Sequence, residues 1–133
     1  MTNQEIKLVK NSWRKLMGID HGIIGDVFYS RLFIQQPGLR KMFPADMTQQ
    51  NKKLVDMLVY IVGGLEQADI LSNKIRALGK QHQNLGIVAH HYETVGDALI
   101  WTLEKALGID WNEELKSAWK SCYSELAESL QEA

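Results

Sequence analysis

The chain's strongest constraint is where its helix-breaking residues fall. Both prolines, Pro37 and Pro44, lie in one short segment, "PGLRKMFP". Elsewhere apolar residues recur at helical spacing, and no alternating run is long enough for a convincing strand. Proline removes a backbone donor and disfavours helix at the residue before it. The expectation is an all-α fold of six to eight helices, with one sharp corner at 37–44 and further breaks at Gly18, Gly86 and Gly108.

The helices can be placed from their caps and stripes. Thr2 and Glu5 form a capping box for a first helix with Ile6, Val9, Trp13 and Leu16 inward. A second helix is predicted over 20–35, carrying Ile24, Val27, Phe28 and Leu32, with Gly25 permitting close approach to another helix. After the proline corner, a long helix over 48–67 would turn Leu54, Leu58, Ile61 and Leu65 inward. Asp69 is a candidate cap for a helix ending near Gly86, whose stripe reads Leu71, Ile75, Leu78, His82, Leu85. A helix over 91–107 shows Tyr92, Val95, Leu99, Leu103 and Ala106. Asp110 with Glu113 is read as the capping pair of a last helix bearing Leu115, Trp119, Cys122, Leu126 and Leu130.

At 133 residues the chain suits a single domain, 1–133, able to bury roughly two-thirds of its unfolded surface. Its net charge of −1 comes from interspersed acidic and basic residues, which argues against nucleic acid and against a basic membrane-surface helix. The longest apolar run, Met57–Leu65, is too short to span a bilayer, and the charged N-terminus lacks a secretory core. A cytoplasmic location is expected. One cysteine, Cys122, excludes intrachain disulfides and CxxC or CxxCH sites, and its place on an apolar stripe marks it as an inert core residue.

His82 is the feature that this bland composition does not explain. It follows Ile75 and Leu78 by seven and four residues, so it points where they point. The pattern alone allows a core-edge histidine bonded to a carbonyl, or a neutral imidazole offered to a metal. His21, His90 and His91 fall in a loop and at a helix start and are read as solvated.

Several further segments, in order, carry a family resemblance. They are "FYSRLF" (28–33), Pro37, "MF" (42–43), Gln50 four before Leu54, "LGKQH" ending at His82, "HYETVGDALI" (91–100) and "AWKSCY" (118–123). Together they resemble a globin, and within that superfamily the bacterial single-domain haemoglobins related to flavohaemoglobins. The resemblance spans essentially the whole chain. It implies the globin fold around non-covalent haem b, with His82 as the proximal iron ligand.

It further implies that Phe43 packs on the porphyrin, Leu85 and Val88 line the proximal edge, and Leu99 and Leu126 close the pocket floor. For these residues core packing and haem contact are nearly one claim. Tyr29 and Gln50 would face the iron opposite His82, with Leu54 as an apolar lid. A phenol O–H and an amide N–H can both donate to a diatomic that gains negative charge on binding. Gln50 is placed by lying one turn before Leu54, and a slip of one would substitute Gln49 or Asn51.

Tyr92 stands ten residues after His82, the spacing at which flavohaemoglobins set a tyrosine against the proximal histidine. The glutamate that completes their network would fall just beyond Ala133, with Glu128 and Glu132 out of register, so an incomplete network is expected. No Rossmann fingerprint for a reductase is present. No catalytic side chain is assigned. The leading expectation is reversible binding of O2, and of NO and CO, by a monomer or weak dimer. The alternatives are nitric oxide dioxygenation with a separate reductase, and a haem-free interaction module.

Overall fold

The computed structural model describes residues 1–132, apart from the side chains of residues 68–72. Among the described residues there is no strand. Six α-helices run α1 (Asn3–Leu16), α2 (His21–Gln35), α3 (Thr48–Gly63), α4 (Ala68–Asn84), α5 (Ala89–Leu107) and α6 (Glu113–Gln131). Two 3-10 turns, Pro37–Met42 and Gly108–Asp110, stand at the corners after α2 and α5.

Caps explain most of the boundaries. The Thr2 hydroxyl accepts from the Glu5 N–H at 3.0 Å, and the Glu5 carboxylate accepts from the Thr2 N–H at 2.8 Å. Asp20 accepts from the Gly22 and Ile23 N–H groups at the head of α2. Gly86 (φ 81°) and Gly108 (φ 56°) occupy the left-handed region that glycine alone enters cheaply, which is why both corners turn there.

Four expectations change. The cap of α6 is Asn112, not the Asp110–Glu113 pair. Extended backbone at Asn112 lets its side chain accept from the Leu115 N–H at 2.8 Å, while Asp110 sits in the 3-10 turn, 3.7 Å from Lys15. α3 stops at Gly63 instead of 67, because Gly63 and Gly64 are poor helix formers, and Leu65 lies past its end. α5 starts at Ala89, two residues earlier than expected, because the Val88 N–H is taken by the ring of His91 (Nδ1, 2.9 Å). Leu85 is 61% exposed, since it caps α4 instead of continuing its inward stripe. The expectations for Asp69 and Leu71 fall on side chains outside those described.

α2 packs on α3 and α5, α1 on α6, and α4 on α6. The main core joins Val9, Trp13 and Leu16 of α1 with Phe28 and Leu32 of α2, Val55 and Leu58 of α3, Leu99 and Leu103 of α5, and Trp119 and Cys122 of α6. The indole donor of Trp119 is satisfied: Nε1 donates to Ser12 Oγ at 2.9 Å. A second, smaller cluster of Tyr92, Ala127 and Leu130 gathers Ile75, Leu78, Ile87 and Leu126 around α4 and α6. α3 belongs to the first body and α4 to the second.

Candidate functional site

The first group of predicted site residues is built on Gly25. A Cβ there would lie 2.3 Å from the Asn51 carbonyl oxygen and 2.6 Å from its Cα, so α2 and α3 touch backbone to backbone. Tyr29 is one turn beyond Gly25, and Gln50 immediately precedes Asn51. The crossing therefore brings their side chains together, and Gln50 Nε2 donates to Tyr29 Oη at 2.9 Å. Gln50, placed in the sequence one turn before Leu54, is the amide that meets the tyrosine, with no slip to Gln49 or Asn51. Asn51 is buried at the crossing, and Gln49 is exposed.

Tyr29 is nearly enclosed. Its ring lies edge-on to Phe28 (5.0 Å between centroids), stacks on Phe33 (5.8 Å) and meets Phe43 at a tilt (5.2 Å). Burial raises its phenol above the ordinary tyrosine range, although the bond from Gln50 pulls the other way. The side chain stays a neutral O–H. Because Gln50 is the donor of their bond, the phenol hydrogen remains free to point elsewhere. Leu54, one turn after Gln50, is half-buried against the main core.

The second group of predicted site residues lies at the end of α4. His82 is half-buried, and burial lowers its pKa below the usual imidazole value, which favours the neutral ring. Nδ1 lies 3.1 Å from Tyr92 Oη, with the two rings tilted and 5.9 Å apart. In the tautomer that carries its proton on Nδ1, that N–H donates to Tyr92 and Nε2 keeps its lone pair for a ligand. Tyr92 is fixed in turn, since the Tyr123 hydroxyl donates to its main-chain carbonyl at 2.6 Å. Tyr123 also lies where a Cβ on Gly96 would sit, 2.7 Å from its ring, so the glycine lets α5 and α6 close on this tyrosine.

Sequence reasoning assigned Tyr123 no role. The small residue at Gly96, one turn after Tyr92, was the available signal. It also gave no role to Arg40, whose guanidinium reaches three main-chain carbonyls at the proline corner. The other three histidines do have partners. His21 lies 3.7 Å from Asp56, His90 bonds Gln36 (2.8 Å), and His91 closes the start of α5.

The remaining predicted residues differ in setting. Leu99 is buried in the main core, and Leu126 packs in the second cluster. Phe43 is half-buried in the first group. Leu85 and Val88, just past His82, are 61% and 54% exposed. Exposed branched apolar side chains beside a neutral imidazole fit a flat apolar group covering them. Among the described residues no cluster of three or more His, Cys, Asp or Glu could hold a bare metal ion. A single imidazole suits a metal whose other ligands come with its own macrocycle, and the donor set therefore fits haem.

The comparisons with known proteins identify the family. The Globin family model matches residues 26–130. An anaerobic nitrite reductase of Gossypium hirsutum is 31% identical over 97% of this chain and 91% of its own length. Neuroglobin-2 of Oncorhynchus mykiss is 26% identical over 93% of this chain and 86% of its own. Among solved structures, an engineered carbene transferase, RmaNOD, described as a putative nitric oxide dioxygenase of Rhodothermus marinus, superposes with a TM-score of 0.87. It is 28% identical and covers 99% of this chain and 92% of that one. The chain belongs to the globin family.

Proposed function

We propose that this globin binds haem b at His82 and holds O2, and related diatomics such as NO and CO, against Tyr29 and Gln50. Membership of the family implies the haem, which when bound would supply an iron able to take a diatomic gas. His82 Nε2 would donate to the haem iron, and Tyr92 would hold the ring in the tautomer that leaves this atom unprotonated. Phe43, Leu85, Val88, Leu99 and Leu126 exclude water around the macrocycle, and Leu54 does so over the ligand. No helix among the described residues is long and apolar enough to cross a membrane. A cytoplasmic role fits that observation.

The observation that carries the proposal is the direction of the Tyr29–Gln50 bond. The amide donates to the phenol oxygen, so the phenol hydrogen is available to a ligand with partial negative charge. A hydrogen bond to a charged acceptor contributes about 1.5–3 kcal/mol, equivalent to a change of about 10- to 150-fold in ligand release. Tyr29→Phe should accelerate O2 dissociation within that range in stopped-flow measurements, and Gln50→Leu should do so less. An unchanged off-rate in Tyr29→Phe would remove the tyrosine from the ligand.

A second reading is favoured by the description of the engineered Rhodothermus marinus protein as a "putative nitric oxide dioxygenase". In that reaction NO and O2 combine to nitrate, leaving the protein one electron short until a separate reductase restores it. Tyr29 and Gln50 would act there too, by holding O2 while NO enters. Sustained nitric oxide consumption with a flavin reductase and NADH present separates this from simple gas storage, which gives one turnover and stops.

A further inference from the structure

The corner between Pro37 and Pro44 is not held by a carboxylate. Among the described residues Arg40 has no acidic partner within ion-pair distance. Its guanidinium instead donates to main-chain oxygens: Nη1 to Phe43 (3.3 Å) and Pro44 (2.9 Å), and Nη2 to Ala45 (3.1 Å). The Arg40 carbonyl accepts the Phe43 N–H at 3.2 Å, so both ends of the residue grip the same corner. The guanidinium carbon also lies 5.5 Å from the centroid of Phe33. Phe33 stacks on Tyr29 and meets Phe43 at 5.4 Å, closing a triangle of rings.

We propose that Arg40 is a positioning residue for the ligand side of the site, fixing residues 43–45 and, through Phe33 and Phe43, the ring of Tyr29. This rests on the gas-binding reading above and names the residue that sets its geometry. A planar fork with five donors can serve three diverging carbonyls at once. Lysine, a point charge on a flexible stem, cannot hold them in the same plane. The positive charge itself is therefore secondary, and the fork is what positions the corner.

Arg40→Met and Arg40→Lys test this with two kinds of readout. In the haem-free chain, amide exchange at Phe43 and Thr48 should quicken in both variants. In the haem-loaded ferrous form, the carbon monoxide stretching band should split or shift relative to wild type, and O2 release should rise about tenfold, the worth of one charged hydrogen bond. A merely stabilising role would lower the melting temperature and leave the carbon monoxide band where it was, which overturns the proposal. So would a lysine variant that behaves as wild type. If the wild-type chain takes up no haem but corner exchange still quickens, the gas-binding reading fails while the hold of Arg40 on the corner stands.

Discussion

His82 is useful because it is neutral. Burial makes the charged imidazole unfavourable, so its folded-state pKa lies below the ordinary value. Between that lowered value and about pH 6.5 the unfolded chain binds more protons than the folded one, so stability from this group falls as the pH drops through the window. Above the window the term is constant. Haem retention should follow the same direction, since protons compete for Nε2. Acid titration of the haem-loaded protein should show pigment loss setting in below the usual histidine range, with little change from neutral pH upward. His82→Gly should lose the pigment, and added imidazole should restore its optical bands by filling the vacated place. Retention of pigment by His82→Gly without imidazole would mean another group holds the iron. Cys122 behaves in the opposite sense, as burial pushes its thiol up to about 12, and it should resist thiol reagents in the folded protein at neutral pH.

At the level of elements, the crossing of α2 and α3 decides whether Tyr29 and Gln50 can meet. Gly25→Ala places a methyl group against the backbone of Asn51, which unlike a flexible side chain cannot step aside. Overpacking of this kind costs about 1–3 kcal/mol, read as a lower urea midpoint with an unchanged slope. The variant should also release O2 faster, because parting the helices lengthens the Tyr29–Gln50 bond. The need for a small residue was legible in the sequence, as were the helical stripes and the inward aim of His82. The partner of Gly25 was not, because helical periodicity gives the face of a residue and leaves the opposing helix unspecified. Gln50 was read from its place one turn before Leu54, and the crossing adds what that spacing lacked, its bond to Tyr29. The start of α5 was misplaced for a different reason. Histidine is outside the usual set of capping residues, yet His91 Nδ1 accepts the orphan Val88 N–H as a carboxylate or hydroxyl would.

The whole molecule is organised around a division in its core. Tyr29, Phe43 and Leu54 belong to, or pack on, the large cluster built on α1, α2, α3, α5 and α6. Tyr92, Leu126 and the inner residues of α4 belong to the smaller one, and Tyr123 touches both. Consecutive in sequence, α3 and α4 contribute to different bodies, and the predicted site residues line both. A small apolar cluster gives the weaker hold, so α4 and the segment to Val88 should be the first part of the haem-free protein to open. Haem held by residues of both clusters would tie the weaker body to the stronger. A ligand that binds only the folded form stabilises it by about 4 kcal/mol when its concentration exceeds the dissociation constant a thousandfold. Amide exchange followed with and without haem should therefore show its largest gain in protection at residues 73–88, with a lesser gain at the start of α3 and almost none in α1. Equal protection of α1 and α4 in the haem-free chain would mean that the two clusters already act as one, and that haem is not what joins them.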